Sequence, residues 1–329
     1  MLEITGFNMQ NPWRIEPFST PKTFPRKILD EAKEWLTQDE VIVIIGPRQV
    51  GKTTLLYQLI DHLLKSEISP HDIFYFTLDE PGLTDFFQSP VDFIHFIEIN
   101  KQNTAYVFID EIQRLENPGL FLKYVFDLKK EIKLVVTGSS SLEIRAKVSE
   151  ALTGRKRHLQ MLSFTFEEFL EAKWPKFQDI HLRSIVRNSV ELLEILQKIQ
   201  RIYGASLEKF LFDYLTFGGY PRILLEANPQ RKIQHLQEVF TSYIQKDVKD
   251  YFRIENIPAY NNLIRLLAHQ VGKLVNMSEI SNTTGLHFTT LDKYFFLLEN
   301  SFIFKRLPPF FRNVRKEVTK MPKVYAMDL

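Results

Sequence analysis

Hydrophobic residues in the first half of the chain form short continuous runs, separated by segments with helical spacing. Four runs lie at 41–45, 72–81, 104–115 and 132–144, and a possible fifth lies at 156–162. Strands that are apolar on both faces are typical of parallel sheets covered by helices on both sides. The pattern predicts an α/β core in which ligands bind at the carboxyl ends of the strands.

The second half of the chain changes to helical spacing. Helices are predicted over 164–174, 189–202, 207–217, 232–252 and 259–270, with a break at Gly218–Gly219 and a new helix from Pro221. A short helix capped by Ser278, a turn at Gly285, a longer helix and a strand-like segment at 303–307 follow. This order is typical of a winged helix-turn-helix.

Prolines divide the N-terminal segment from the core. The first 25 residues hold four prolines, together with Trp13 and Phe18, which predicts an extended lead-in packed on the domain. The predicted organisation is a lead-in at 1–25, an α/β core at 26–163, a helical lid at 164–230 and a winged-helix domain at 231–329.

A glycine-containing turn follows the first strand and precedes a helix-patterned run. Gly46, Gly51, Lys52 and Thr53 fit the spacing G-x-x-x-x-G-K-[ST]. The glycines let backbone N–H groups wrap an anion, the lysine reaches the β and γ phosphates, and the threonine hydroxyl meets Mg²⁺. A chance glycine-rich turn is the alternative, but the strand before it and the helix after it favour a phosphate-binding loop.

Two adjacent carboxylates, Asp110 and Glu111, end the third apolar run. Carboxylates at the end of a buried strand are costly unless a cation meets them. We expect Asp110 to hold Mg²⁺ through its hydration shell and Glu111 to act as general base for a water molecule. The alternative is an acidic pair that begins a helix after the strand.

A polar cluster ends the fourth run. Ser139 is preferred over Thr137 as the side chain that contacts the γ phosphate or orients the water. Ordinary turn and helix-cap chemistry explains a Gly-Ser cluster equally well, so this alternative stays open.

Composition excludes several chemistries. The chain of 329 residues has no cysteine, which excludes disulfides, zinc–thiolate sites and thiol catalysis, and its eight histidines show no metal-ligand spacing. No apolar run is long enough to span a bilayer and no signal peptide is evident, so a cytoplasmic protein is expected. Residues 231–329 carry 15 Lys+Arg against 9 Asp+Glu, a modest basic excess compatible with nucleic-acid contact.

Six motifs together resemble the prokaryotic AAA+ ATPases of the archaeal type. They are GPRQVGKTT, VFIDEIQ, VVTGSSS, LTGR with LSFTFEEF, GGYPR, and the C-terminal pattern from LDKYFFLLEN to VYAMDL. The family usually continues into a nuclease-like domain, so the end of the chain at Leu329 leads us to expect a truncated or short form.

The resemblance implies roles for individual residues. Asp110 and Glu111 become the Walker B pair, Ser139 a sensor, Arg155 (or Arg145) an arginine finger acting on a neighbour's nucleotide, and Arg222 a second sensor. The Walker A loop comprises Gly46, Pro47, Arg48, Gln49, Val50, Gly51, Lys52, Thr53 and Thr54.

The expected function is Mg²⁺-dependent ATP hydrolysis coupled to domain movement, acting on or with nucleic acid. The expected ligands are ATP or ADP, Mg²⁺, DNA through the winged helix, and further copies of the chain. Two alternatives remain: a slow ATP-gated signalling switch of the STAND type, and a winged-helix DNA-binding regulator whose ATP site is secondary.

Overall fold

A computed structural model of the chain describes residues 4–20, 23–24, 26–80, 82–128, 131–139, 148, 151–174, 189–251, 254–311, 317 and 320–328. The chain divides into two compact units. The first comprises Met1–Leu162 and Ile254–Tyr325, and the second comprises Ser163–Arg253 and Ala326–Leu329. The domain boundaries proposed from the sequence, at 163/164 and 230/231, stay predictions.

A five-stranded parallel sheet forms the centre of the first unit. Its strands are β1 (Val41–Ile45), β2 (Ile73–Thr77), β3 (Ala105–Asp110), β4 (Ile132–Gly138) and β5 (Lys156–Gln160), in the spatial order β2-β3-β4-β1-β5. All four pairings are parallel. The predicted α/β parallel sheet is therefore confirmed, including its fifth strand.

Helices precede the sheet and connect its strands. Helices α1 (Ile4–Gln10) and α2 (Lys27–Trp35) precede β1, and the connections from β1 to β4 contain α3 (Lys52–Lys65), α4 (Leu83–Phe86), α5 (Pro90–Asn100) and α6 (Pro118–Asp127). Valine, isoleucine and phenylalanine side chains from β1 to β4 are almost fully buried, which explains why these strands are apolar on both faces.

The rest of the first unit is helical with a small sheet. It contains α11 (Ile257–His269), α12 (Met277–Thr284), α13 (Phe288–Asn300), and the strands β6 (Phe304–Leu307) and β7 (Lys323–Ala326), which pair with each other. The cap of α12 is Asn276, not the predicted Ser278, because the Asn276 side chain accepts bonds from the N–H groups of Ser278 and Glu279. The basic segment 312–323 would form the wing of such a domain. It lies largely outside the described residues, and the winged helix stays a prediction.

The second unit is helical. It contains α7 (Phe166–Lys173), α8 (Ser189–Phe217), α9 (Pro221–Leu225), α10 (Pro229–Ser242) and a π-helical stretch at Tyr243–Tyr251. The two helices predicted over 189–202 and 207–217 are one helix of 29 residues. Gly204 lies inside it, and a glycine weakens a helix by only about 1 kcal/mol, too little to end a long one.

The prediction of an extended N-terminal segment is wrong for its first part. Residues Ile4–Gln10 form a helix and Pro12–Arg14 a 3-10 turn. The prolines begin only at position 12, so nothing prevents a helix before them, and Pro12 fits the first position of the turn. The segment does pack on the domain, as predicted, because Phe7 and Trp13 are buried.

Side chains of this N-terminal segment cover the free edge of β2. The Asn11 amide accepts a bond from Tyr75 N (2.6 Å) and donates one to Tyr75 O (2.9 Å). Gln10 accepts from Thr77 N (3.1 Å), and Trp13 donates to Ile73 O (3.2 Å). These bonds replace the missing neighbour strand, and an edge strand left open would offer its backbone groups to other chains.

We expect Asn11→Leu to destabilise the protein by about 2–4 kcal/mol, because it leaves a buried N–H and a buried C=O of Tyr75 without partners. Urea denaturation, with the unfolding of the first unit followed by fluorescence, measures this change. Asn262→Ala, at an exposed helical position, is the control and should change stability by less than about 0.5 kcal/mol. An equal effect of both substitutions would contradict the edge-sealing role.

A buried lysine lies near the amino ends of the strands. Lys133 donates to the carbonyl oxygens of Gln38 and Glu40, both at 2.5 Å, and its side chain is almost fully buried. Burial lowers the pKa of Lys133 from 10.5 to about 8, against the opposing effect of Glu40 and Asp39. The unfolded chain therefore binds more protons than the folded chain between these two pH values.

We expect Lys133 to raise the free energy of unfolding between about pH 8 and pH 10.5, by at most about 3 kcal/mol, because the folded protein loses the cost of a buried charge as the lysine deprotonates. Below pH 8 the lysine is charged in both states and this contribution is flat. Lys133→Met should remove this contribution, so that its free energy of unfolding rises less with pH than that of wild type, whereas Lys123→Met, at an exposed position, should keep the wild-type pH profile. Denaturation curves at several pH values measure the difference; identical pH profiles for Lys133→Met and wild type would contradict it.

Candidate functional site

The carboxyl ends of β1, β3 and β4 bring three separated segments to one edge of the sheet. The turn at 46–51 follows β1, Asp110 ends β3, and Ser139 follows β4. β1 pairs with β4 through Ile45 and Gly138, and β3 pairs with β4 through Ile109 and Val136. The register therefore places the predicted loop, acidic pair and serine together.

The loop after β1 has the backbone geometry of an anion-binding turn. Gln49 and Gly51 have positive φ values of 63° and 96°, and helix α3 begins at Lys52. Lys52 folds back over its own loop and donates to the carbonyl oxygens of Gly46 (3.1 Å) and Pro47 (2.8 Å). The lysine ammonium and the start of the helix thus both favour negative charge at this turn.

Gly46 is required at its position by a close approach of two chain segments. A Cβ at Gly46 would lie 1.8 Å from the carbonyl oxygen of Met161, which follows β5. Met161 N donates to Ile45 O (2.8 Å), so β5 extends alongside the start of the loop. Only a residue without a side chain lets the loop begin here.

Arg26 supports the other end of the loop. This buried arginine donates to Val50 O (3.2 Å) and Leu162 O (2.8 Å), and so ties the turn to the segment after β5. Sequence reasoning missed Arg26, because one arginine before a helix carries no motif signal.

Asp110 is held by hydroxyl groups from three different elements. Thr53 donates to its Oδ2 atom at 2.6 Å, Tyr75 donates to the same atom at 3.3 Å, and Thr137 donates to Oδ1. Burial raises the pKa of Asp110 above its ordinary value, and the bonds from Thr137 and Thr53 oppose this shift. Burial is thus the largest influence on the pKa of this carboxylate, and the charge of Lys52 opposes it in addition to the hydroxyl groups. A bound cation would offset the desolvation further.

Mg²⁺ fits this arrangement. The hydroxyl of Thr53 and the carboxylate of Asp110 are hard oxygen donors within hydrogen-bond distance of each other. Among the described residues, no group of three or more His, Asp or Glu side chains forms a metal site by itself. Mg²⁺ typically binds through one or two protein oxygens together with waters and phosphate oxygens, so few protein ligands are needed.

Glu111 follows in a left-handed conformation (φ 60°), at the start of the 3-10 turn Ile112–Arg114. Its N–H donates to Thr137 Oγ1 at 3.1 Å, and its Oε2 atom accepts from Ser139 Oγ at 3.0 Å. A left-handed non-glycine residue persists only where the surroundings impose it. The turn points the Glu111 side chain towards Ser139, which is the side chain preferred from the sequence.

Thr137 has a different position from Ser139. It is fully buried, and its hydroxyl bridges the Asp110 carboxylate and the Glu111 backbone. Ser139 instead reaches the Glu111 carboxylate. The sequence could not separate these two positions, because both are small hydroxyl residues at the end of the same strand.

The predicted arginines lie elsewhere. Arg155 lies at the amino ends of the strands, where its carbonyl oxygen accepts from Val41 N and its guanidinium pairs with Asp127 (3.2 Å). The phosphate loop lies at the opposite edge of the same sheet, so Arg155 cannot reach the loop of its own chain. Arg222 belongs to the second unit and pairs with Glu238 (2.8 Å), and Arg145 lies outside the described residues.

The strand order, the loop and the acidic strand end define a P-loop NTPase fold. More particularly, residues 38–170 match the family model described as "AAA domain", and residues 208–329 match a domain of unknown function, DUF8612. The first match supports the AAA+ resemblance of the core. A following nuclease-like domain stays a prediction.

Similar proteins are known from archaea. The chain is 27% identical over 284 residues to the uncharacterized protein MJ1544 of Methanocaldococcus jannaschii, and 28% identical over 313 residues to MJ1637 of the same organism. These alignments cover 82% and 92% of this chain but only 58% and 64% of the two relatives. The chain thus spans less than two thirds of either relative.

Among solved structures, the Walker-type ATPase paby2304 of Pyrococcus abyssi is similar, with 15% identity, a TM-score of 0.49, and coverage of 93% of this chain and 94% of that chain. A likeness at this level carries no weight for function. No helix among the described residues is long and apolar enough to cross a membrane.

We expect Gly46→Ala to distort the loop and to abolish nucleotide binding, because the new Cβ would collide with the Met161 backbone. Overpacking of this kind costs about 1–3 kcal/mol of stability. Fluorescent-nucleotide titration and thermal unfolding measure both effects. Gly204→Ala is the matched control: its Cβ meets only Gln200 Cγ at 3.8 Å, and it should leave nucleotide binding unchanged. Wild-type nucleotide affinity in Gly46→Ala would refute the close-packing argument.

Proposed function

We propose that this protein is an Mg²⁺-dependent ATPase. The observation that carries the proposal is the contact between Thr53 and Asp110 at 2.6 Å, because it joins the phosphate loop to the acidic strand end in the geometry that one metal ion needs. The match of residues 38–170 to an AAA domain supports the same reading. The choice of adenine rather than guanine as the bound base rests on the resemblance alone.

The residues have distinct roles in this proposal. Lys52 and the loop N–H groups bind the β and γ phosphates, and Thr53 and Asp110 hold Mg²⁺, which when bound neutralises charge on the phosphate oxygens. Glu111 accepts a proton from water as the water oxygen attacks the γ phosphorus, and the bond from that phosphorus to the β-phosphate oxygen breaks. ADP and inorganic phosphate leave, and Glu111 returns its proton to solvent.

Arg155 and Arg222 have coupling roles in the proposal. Because Arg155 lies at the far edge of its own sheet, an arginine-finger role requires a second copy of the chain. Arg222 would sense the γ phosphate from the helical lid, so that phosphate loss changes the domain angle. Both assignments rest on the resemblance. The proposal thus includes movement of the lid and assembly of several copies of the chain.

Nucleic-acid contact has weaker support. The exposed side chains of α13 include Phe288, Asp292, Lys293 and Phe296, which carry no net positive charge. A DNA-reading helix usually presents a basic surface, and the basic residues of this region lie mainly in the segment 312–323. We therefore place any nucleic-acid contact on phosphates through that segment.

We expect Lys52→Ala and Glu111→Gln to separate binding from hydrolysis. Lys52→Ala should lose ATP affinity, and Glu111→Gln should retain ATP but lower kcat by about 100-fold or more, since it removes the base but no phosphate contact. Turnover with and without Mg²⁺, and with duplex or single-stranded DNA, measures the effects.

Lys65→Ala, on the same helix but exposed and paired with Asp61, is the control for Lys52→Ala and should match wild type. A wild-type protein with no Mg²⁺-dependent turnover, or turnover that survives both substitutions, would overturn the proposed hydrolysis. Nucleotide binding with turnover too slow to measure, together with a nucleotide-dependent change in mass, would favour the signalling switch. Tight, salt-dependent DNA binding that survives Lys52→Ala would favour the regulator.

A further inference from the structure

Gln113, the last residue of the VFIDEIQ motif, has no role assigned by the resemblance and lies against the carboxylate of Glu111. Gln113 Nε2 donates to Glu111 Oε2 and also to Ser139 Oγ at 2.9 Å. Ser139 Oγ in turn donates to the same Glu111 Oε2 atom at 3.0 Å. The three side chains form a closed triangle of hydrogen bonds, which we call the Glu111–Gln113–Ser139 triangle.

The local backbone explains why Gln113 can reach this place. Ile112 is fully buried in the core. The residues on either side of it in this 3-10 turn, Glu111 and Gln113, therefore face away from the core. Glu111, in its left-handed conformation, and Gln113 therefore point the same way, towards the end of β4. A glutamine two residues from the carboxylate is long enough to contact both Glu111 and Ser139.

The orientation of the Gln113 amide is informative. Its Oε1 atom is buried and has no hydrogen-bond partner among the described residues. Rotating the amide would bring that oxygen against the Glu111 carboxylate, where two acceptors would repel each other. The amide thus keeps its nitrogen on Glu111 and Ser139 at the cost of an unsatisfied oxygen, which indicates that the two bonds dominate.

We infer that Gln113 is a positioning residue, which fixes the Glu111 carboxylate relative to the Ser139 hydroxyl. A bound triphosphate then breaks only the hydrogen bond between Ser139 and Glu111. This inference rests on the proposed function. The Ser139 hydroxyl has one proton, and it can donate that proton to Glu111 or to a γ-phosphate oxygen, but not to both.

Loss of the Ser139–Glu111 bond changes which hydrogen-bond donors reach the Glu111 carboxylate. Without a γ phosphate, Oε2 accepts bonds from both Gln113 and Ser139. When Ser139 turns to the γ phosphate, Oε2 loses one donor and gains room for a proton from water. Gln113 has two amide protons, so it keeps its bonds to both residues and preserves the geometry while the base becomes available.

The first test removes the amide but keeps the side-chain length. We expect Gln113→Met to lower kcat by about 100-fold, as misplacement of a catalytic group does, while the Kd of ATP changes by less than about 2-fold. Gln88→Met is the matched control, since Gln88 Nε2 also donates to a carboxylate, that of Asp85 (3.1 Å), but on an exposed helix end. Thermal unfolding of both variants checks the fold. Wild-type kcat in Gln113→Met, or a parallel loss of ATP affinity, would overturn the inference.

The second test is a double-mutant cycle on kcat with Ser139→Ala. If Gln113 acts partly through Ser139, Gln113→Met should lower kcat less in the Ser139→Ala background than in wild type. If the fold-losses in kcat of the two single variants multiply in the double variant, the residues act independently, and this result would contradict the triangle.

A third measurement does not depend on turnover. Crystal structures of the wild-type protein with Mg²⁺ and either ADP or a non-hydrolysable ATP analogue should show the Ser139–Glu111 bond kept with ADP and broken with the analogue, while Gln113 stays bonded to Glu111 in both. A Ser139–Glu111 bond that persists with the analogue would refute the inference. Failure of the proposed function is recognised separately, by wild-type turnover that is absent or insensitive to Lys52→Ala.

Discussion

The cost of burying a carboxylate at the end of a covered strand constrains the whole nucleotide-binding edge. Asp110 is almost completely removed from water, and burial raises its pKa. Hydroxyl groups from Thr53, Thr137 and Tyr75 bind the carboxylate, and each comes from a different secondary-structure element. The carboxylate thus links the loop helix, β4 and β2. The protein thus satisfies the carboxylate in part, and the proposed Mg²⁺ would complete the site.

The register of the strands brings the groups of this edge together. In a parallel sheet with both faces covered, ligands bind at the carboxyl ends of the strands, because the helices occupy the faces. The pairings of Ile45 with Gly138 and of Ile109 with Val136 set the positions of the loop and the acidic pair along the strand direction, relative to β4. Thr137 then lies level with Asp110, and Ser139, two residues further on, is level with the Glu111 carboxylate.

Sequence patterns predicted the sheet, and they also predicted that the loop, the acidic pair and the serine meet at one edge, because both depend on local signals. Apolar runs mark strands buried on both faces, and the loop spacing is set by the size of a phosphate. The features that were missed depend on distant contacts. Asn11 and Tyr75 are 64 positions apart, and Arg26 and Leu162 are 136 positions apart. Nothing in hydrophobic periodicity records a side chain that pairs with a remote backbone group. Gln113 lay beside a recognised residue, but its role depends on the left-handed turn at Glu111.

The N-terminal segment and the carboxyl edge of the sheet are connected through one strand. Asn11 binds both backbone groups of Tyr75, and the Tyr75 hydroxyl reaches Asp110. Trp13, Phe18 and Tyr57 form a series of ring contacts that ends on Tyr75, so the aromatic ring is enclosed as well as its backbone. A residue that contacts the buried Asp110 carboxylate needs a fixed position, and β2 is an edge strand with no neighbour strand on one side. The segment around Asn11 supplies that missing side, and it therefore stabilises the orientation of Tyr75 as well as closing the sheet.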